Sequence, residues 1–275
     1  LALHYWQPDW CAGDFFLESS NPHLVFYQTI GVTTQWLSFT ATAIIGRLAG
    51  YLLLAFAWQR LCQACTRDVW SGVTAACVFL LFASIGNLSG EWIVGGIEGK
   101  VPSYAFAFLA ISSVLQQRWP TAGLSLGLGI AFHPLVGMWT LIALGMALTL
   151  RGLQTYRTVP THVLLLLKSR QFQMGSVLLI VFGLCGIVPA VNAISGATPG
   201  QEFAANYLQV FYRLAHHLDP MQFPATRWSG YALLAVAALL LWANNKRDWR
   251  YSLLNGFTLC GGIIALVGLL IGWGD

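Results

Sequence analysis

The chain has 275 residues, of which 57% are hydrophobic and only 9% are charged, whereas about a quarter of the residues of a soluble domain are charged. So few charged side chains cannot form the surface of a water-soluble protein of this length. The composition therefore predicts a membrane protein whose surface contacts membrane lipid. The net charge of +4 is too small to favour a nucleic-acid partner.

Apolar runs of about 15 to 25 residues, some of them shorter, predict eight membrane-spanning helices. They cover residues 33–59, 71–86, 103–117, 121–132, 135–150, 174–195, 229–242 and 254–273. The expected fold is all-α, a polytopic transmembrane helical bundle that forms one domain over residues 1–275.

The distribution of charge predicts the orientation of these spans, because cytoplasmic loops are enriched in Lys and Arg. Ten of the 14 basic residues fall in alternate connections, and eight of the ten acidic residues fall in the others. We expect an integral protein of the bacterial inner membrane with residue 1 on the non-cytoplasmic side. That orientation also predicts a further span before residue 1, so that this chain would be a fragment lacking it.

Two long segments are predicted outside the membrane, residues 1–31 and 197–228. Within the second, residues 201–218 (QEFAANYLQVFYRLAHHL) place aromatic and aliphatic side chains on one helical face. This pattern predicts an amphipathic helix that lies at the membrane interface or re-enters the membrane from outside.

The segment Gly95-Gly96-Ile97-Glu98-Gly99-Lys100 sets an acid and a base two residues apart, just before a predicted helix. Glycines let a backbone approach a ligand, and a lysine beside a helix N-terminus suits an anion such as phosphate. A simple surface pair of Glu98 with Lys100 would have the same sequence, so both interpretations stay open.

The pair His133-Pro134 interrupts an apolar stretch at the external end of two short helices. A histidine in this position is either a helix cap or packed residue, or a substrate-binding group at the membrane edge.

The sequence R-L-A-H-H-L-D-P places Arg213, His216 and His217 in the second external segment. Arg213 and His217 are one helical turn apart and could bind an anion together. A metal site is the weaker interpretation, because adjacent histidines on a helix point about 100 degrees apart. We therefore assign no metal, and the need for a divalent ion or other cofactor stays unknown.

The first external segment carries Asp9 and Asp14 beside aromatic residues, in the run W-Q-P-D-W-C-A-G-D-F-F. A carboxylate that aromatic rings partly desolvate at the membrane surface is well placed to act as a general base on a hydroxyl group. Aspartate is also common in turns, so this interpretation has a structural alternative.

The external loop with its Asp, the following S-x-x-P-H-L-V-F-Y-Q run and the many helices with basic inside loops resemble the GT-C superfamily of membrane glycosyltransferases. The resemblance implies inverting transfer from a polyprenyl-phosphate sugar, with Asp14, or less favourably Asp9, as the base. It also implies that Lys100, Arg213 and His217 would stabilise the leaving phosphate. The G-x-E-x-K, F-H-P and R-x-x-H-H-x-x-P segments are also similar to a bacterial polytopic membrane family of unknown function.

Two other functions compete with a transferase. A transporter would place polar groups on broken helices near the bilayer midplane, where only Arg47 is predicted. A non-catalytic scaffold would scatter its external charges without a shared pocket. The transferase instead predicts that Asp14, Glu98, Lys100, His133 and Arg213 converge.

Overall fold

The computed structural model describes residues 1–14, 16–18, 21–66, 68–85, 92–155, 165–195, 198–244 and 248–274. We number its α-helices in chain order: α1 Ala2–Trp6, α2 Leu24–Thr29, α3 Phe39–Cys65, α4 Val69–Ile85, α5 Lys100–Leu115, α6 Trp119–Phe132, α7 Pro134–Thr155, α8 Arg170–Ile194, α9 Pro199–Tyr207, α10 Ala215–Leu218, α11 Ala225–Asn244 and α12 Trp249–Gly274. Single turns of 3-10 helix cover Gly31–Gln35 and Pro220–Gln222, and a π-helical turn covers Leu208–Arg213. The described part of the chain contains no strand, so the all-α prediction is confirmed.

Apolar helices lie at all eight positions that the sequence predicted. Four of them are long and apolar enough to cross a membrane: Phe39–Cys65, Pro134–Leu153, Arg170–Ile194 and Trp249–Gly268. The other four are shorter: Val69–Ala83, Lys100–Leu115, Trp119–Phe132 and Ala225–Leu241. The chain is a membrane protein with at least these four candidate spans.

The first predicted helix begins six residues later than its apolar run. Residues 33–38 do not join α3, because Gly31–Gln35 forms a separate 3-10 turn. The Oγ of Ser38 then accepts a hydrogen bond from the backbone N–H of Ala41 at 3.2 Å, which satisfies one of the unpaired donors at the start of a helix. The cap, rather than hydrophobicity, sets this end of α3.

The chain forms two compact units. Unit 1 comprises Leu1–Ala64, Ile93–Leu141 and Thr161–Ser195, and unit 2 comprises Cys65–Trp92, Ile142–Pro160 and Gly196–Asp275.

In unit 1 the two short helices α5 and α6 form the core, and longer helices expose apolar side chains around them. Along α5 eleven of 16 residues are buried, whereas the most apolar window of α3 and that of α8 are each only 11% buried. Leu52 of α3 is 73% exposed and Val177 of α8 is 58% exposed, which is the arrangement expected where lipid is the solvent. Burial within protein explains why α5 and α6 are shorter than a bilayer requires.

Small residues bring α6 and α8 into close contact. A Cβ added to Gly123 would clash with the backbone of Gly175, and one added to Gly186 would clash with the backbone of Ile130. Close backbone approach through small residues is the usual way in which helices associate inside membranes.

Unit 2 has a core of its own in which α12 packs against α11 and the second half of α7. Leu144, Leu253 and Cys260 are almost completely buried there. Gly256 of α12 faces Ala147 of α7, where an added Cβ would meet the Ala147 Cβ at 3.5 Å.

The prediction of one continuous amphipathic helix over residues 201–218 was wrong, because the helix is interrupted. The segment begins earlier, at the capping box of Thr198 and Gln201, and then changes from α9 into the π-helical turn. The N–H of Leu214 donates to the carbonyl of Gln209 at 2.9 Å, a spacing of five residues, and α10 begins only after this break. The π-turn alters the helical phase, so the even four-residue spacing from Arg213 to His217 is lost.

Candidate functional site

The first loop of unit 1 folds onto itself and fixes the start of α2. Trp6 donates from Nε1 to the carbonyl of Tyr27 at 2.9 Å, and Asn21 donates from Nδ2 to the Tyr27 hydroxyl at 2.7 Å. The Oδ1 of Asn21 also accepts the backbone N–H of His23 at 2.9 Å. These bonds hold His23 at the N-cap position of α2.

His23 lies against His133, with ring centroids 4.8 Å apart and planes tilted by 31°. Its imidazole hydrogen-bonds to the backbone of Phe132, whereas its Nδ1 is buried and has no hydrogen-bond partner in the described part of the chain. If the ring donates to Phe132 from Nε2, the neutral ring carries its lone pair on Nδ1.

His133 ends α6 and precedes α7. Its backbone is extended, with φ −151° and ψ 98°, and its Nδ1 accepts the N–H of Val136 at 3.3 Å. His133 thus caps a helix, which is one of the two interpretations that the sequence left open, and its predicted role in substrate binding stays a prediction. The same ring faces His23, and an accepting Nδ1 places the proton of the neutral His133 ring on Nε2.

Glu98 and Lys100 form the ion pair that their spacing allowed. The Nζ of Lys100 lies 3.2 Å from Oε2 of Glu98, and the Lys100 side chain is 11% exposed while that of Glu98 is 54% exposed. Lys100 is thus the buried member of a pair whose carboxylate reaches solvent.

Gly99 joins this ion pair to the histidines. It precedes α5, and a Cβ on it would lie 2.5 Å from the carbonyl oxygen of Phe132, so the start of α5 touches the end of α6 through bare backbone. His23, Glu98, Lys100 and His133 therefore meet at one end of unit 1. We call these four residues the histidine cluster, and this end the His133 end.

Burial lowers the pKa of His23 below its ordinary value of 6.5, because desolvation disfavours the charged ring. The hydrogen bond to Phe132 and the charge of Glu98 act in the opposite direction and are smaller. The neutral ring therefore predominates at pH 7, and among the described residues its Nδ1 has no hydrogen-bond partner.

Asp14 and Asp9 are placed by the structure in a tight turn of the same loop. Oδ1 of Asp14 accepts the backbone N–H groups of Phe16 and Leu17 at 2.9 and 3.0 Å, and the carbonyl of Asp9 accepts the N–H of Ala12 at 3.4 Å. Both aspartates are exposed. In the described residues the hydrogen bonds of the two aspartates stay within this loop.

Arg213, His216 and His217 belong to unit 2. Arg213 ends the π-helical turn and is exposed, and the rings of His216 and His217 lie side by side with centroids 4.0 Å apart. Asp219, 8% exposed, accepts hydrogen bonds from the backbone N–H of Met221 and from the Gln222 side chain. Its carboxylate thus caps the Pro220–Gln222 turn.

Over the described ranges, no group of three or more His, Cys, Asp or Glu residues is arranged to hold a metal ion. The Glu91 carboxylate, which also belongs to the predicted external face, lies outside the described residues.

His23 was not among the predicted site residues, although it stands in the N-P-H run of the first loop. The available signal was its place directly before a short apolar run, which is the position of a helix cap. Its contact with His133 spans 110 positions in sequence and could not be read from either segment alone.

No protein-family model matches this chain, and no curated protein or solved structure is significantly similar to it.

Proposed function

We propose that this protein is a membrane glycosyltransferase that takes a sugar from a polyprenyl-phosphate donor at the non-cytoplasmic face. The observation that supports the proposal is the histidine cluster. It combines the buried Nδ1 of His23, which has no hydrogen-bond partner in the described residues, with the cation of Lys100 at one end of unit 1. A base and a cation are the two groups that this reaction needs from a protein.

In the proposed reaction the hydroxyl oxygen of the acceptor attacks the anomeric carbon of the sugar and forms the new glycosidic bond. The bond from that carbon to the phosphate oxygen breaks, and its electron pair leaves with the polyprenyl phosphate. Lys100 stabilises the developing negative charge, and the hydroxyl proton passes to the base.

Two residues compete for the role of base. Asp14 has the position that the GT-C resemblance implies, but its Oδ1 already accepts two backbone N–H groups of its own turn. His23 has a free lone pair on Nδ1 within the described residues and lies beside the cation site. The geometry therefore favours His23, with Asp14 as the second candidate.

The proposal includes eight crossings of a bacterial inner membrane, with the first loop and the His133 end on the non-cytoplasmic side. The basic residues at the opposite ends of the helices support this orientation. Phe203 and Tyr212 of the second external segment are exposed aromatic residues, which suit the lipid–water interface on the non-cytoplasmic side of the inner membrane.

The test is transfer of radiolabelled sugar from polyprenyl-phosphate donors by the purified chain in lipid nanodiscs, with extracted membrane lipids and glycans as acceptors. His23→Gln keeps a side-chain donor for Phe132 and removes the Nδ1 base, so we expect a loss of turnover of about 100-fold or more. Asp14→Asn keeps the acceptor oxygen of the turn. It should retain activity if His23 is the base and lose activity if Asp14 is.

His4→Gln is the matched control, because His4 lies in the same loop and bonds only locally, with its Nδ1 2.8 Å from the carbonyl of Trp10. Lys100→Gln should weaken donor use while His4→Gln does not. Absence of transfer by the unmodified protein with every donor, or equal activity of the His23 and His4 variants, would contradict the proposal.

A further inference from the structure

A cavity of about 260 Å³ lies in unit 1 between α3, α5 and α6, and both apolar and polar side chains line it. The cavity lies beside the turn that joins α5 to α6, where Gln116 and Arg118 line it. We call this end of unit 1 the Arg118 end. Lys100 and Gln116 lie at opposite ends of α5, which at 1.5 Å per residue separates them by about 24 Å. The cavity is therefore distinct from the histidine cluster.

Two arginines line this cavity, Arg60 from α3 and Arg118 from the turn before α6. Among the described residues, no acidic side chain lines the cavity and no carboxylate pairs with either guanidinium. Arg60 is half-buried and Arg118 is exposed, so two cations without a carboxylate partner in the described residues border one cavity, and their charge favours an anionic ligand there.

Hydroxyl groups complete the lining, and several of them are available as donors. Ser113 and Ser125 are 7% and 5% exposed, yet within the described residues neither hydroxyl makes a hydrogen bond. Thr121 lines the same cavity. Since neither serine oxygen is among the buried polar atoms that lack a partner, both reach the accessible space of the cavity, where they can donate to a polar ligand.

The walls of the cavity are held in place by hydrogen bonds that do not use these groups. Ser112 donates from Oγ to the carbonyl of Arg60 at 2.8 Å and accepts from Nε2 of Gln116 at 3.1 Å. The N–H of Arg118 donates to the carbonyl of Ser113 at 2.8 Å, across a turn in which Gln117 has a positive φ of 58°. The backbone of both arginines is thus fixed while their guanidinium groups remain available.

We propose that this cavity binds a phosphate group, either as part of an anionic lipid headgroup or as a soluble phosphate ester. Guanidinium groups bind phosphate through paired N–H donors, and hydroxyl groups add further donors. The volume is below the roughly 300–1,000 Å³ of sites for drug-sized ligands, which suits a phosphate with a short ester group.

Two apolar residues of the lining could contact the part of the ligand that carries the phosphate. Phe56 and Leu109 line the cavity, and Phe56 is 52% exposed on α3. Such a wall could accept the first carbons of an acyl chain, whereas a soluble ester would leave it uncovered.

Binding to the full chain would be measured in two arms. In the first, native mass spectrometry would compare retention of phosphatidic acid and phosphatidylglycerol with that of phosphatidylcholine by the protein released from detergent. In the second, calorimetric titration in detergent would use inorganic phosphate and glycerol 3-phosphate, with chloride at equal ionic strength as the reference. Retention in the first arm identifies a lipid source, and heat in the second identifies a soluble one.

Arg60→Gln and Arg118→Gln should each weaken binding about tenfold, since one charge-assisted hydrogen bond contributes roughly one decade of affinity. Arg170→Gln is the matched control, because Arg170 begins α8 in unit 1 and is exposed but does not line the cavity. Thr121→Val removes a hydroxyl group at nearly constant shape. It should weaken binding a few-fold, and it tests the site if an arginine variant fails to fold.

Binding of neither lipid nor soluble phosphate would overturn the proposal. An equal loss in Arg170→Gln and Arg60→Gln would also overturn it, because general surface charge would then explain the binding. These outcomes do not depend on sugar transfer at the His133 end.

Discussion

Replacing Gly99 by alanine tests whether close contact between α5 and α6 holds the histidine cluster together. The backbone of Gly99 has φ −56° and ψ −27°, which alanine adopts without strain. On backbone grounds alone the change would stabilise the protein by about 0.4–1 kcal/mol. The new Cβ would however lie 2.5 Å from the carbonyl oxygen of Phe132.

A backbone oxygen cannot rotate away from such a contact, so one of the two helix ends must move. Overpacking of this kind costs about 1–3 kcal/mol. The steric cost exceeds the backbone gain, and we expect Gly99→Ala to lower the free energy of unfolding by about 1–2 kcal/mol. Movement of Phe132 would also expose the His23 ring. Because desolvation is the largest effect on this group, the pKa of His23 should rise back towards 6.5, although a weaker bond to Phe132 acts in the opposite direction.

The assay is reversible unfolding in mixed detergent micelles, combined with an NMR titration of the His23 ring. Gly145→Ala in α7 is the control, since its Cβ would meet no atom within 4 Å. That substitution should stabilise the protein by about 0.5–1 kcal/mol through helix propensity. Equal stabilisation by the two substitutions would refute the proposed contact.

Three further predictions concern single groups. The free energy of unfolding should fall as the pH is lowered below 6.5. The pKa of His23 is lowered in the folded state, so the unfolded state binds more protons in this range. His23→Gln should flatten this pH dependence in unfolding measurements. Glu98→Gln should lower the pKa of His23 further by removing a favourable charge, as an NMR titration would detect, yet change stability by less than about 1 kcal/mol because Glu98 is half exposed. In intact cells a membrane-impermeant maleimide should label Cys11 and not Cys65, each kept as the sole cysteine, since Cys11 is exposed in the first loop and Cys65 ends α3.

Each of these has an outcome that contradicts it. An unchanged pH dependence in His23→Gln would assign the effect to other groups. A rise in the pKa of His23 on loss of the Glu98 charge would reverse the sign of their interaction. Labelling of Cys65 before Cys11 in sealed cells would invert the proposed orientation.

Part of the candidate site could be predicted from residues that are close in sequence. The spacing of Glu98 and Lys100 allowed an ion pair, and the break at His133-Pro134 indicated a helix cap, because both features depend on residues within a few positions of each other. The π-turn near Leu214 was not predicted, since a hydrophobic pattern does not distinguish a five-residue hydrogen bond from a four-residue one.

The cavity at the Arg118 end left only a faint signal in the sequence. Ser112 and Ser113 interrupt the apolar face of one helix and Ser125 that of the next, but serines of this kind also form ordinary bonds within a helix. Only the packing of α3 against α5 and α6 shows that these residues surround one space with two arginines.

The sequence by itself determined that this is an all-helical membrane protein and where its eight apolar helices lie, because hydrophobicity and charge act on each segment independently. The tertiary structure decided which polar residues meet. His23 lies against His133 where Gly99 lets α5 touch the end of α6. Arg60 and Arg118 line the same cavity because α5 and α6 lie beside α3. Such contacts join distant positions, and they depend on how closely the helices pack rather than on the character of any one segment.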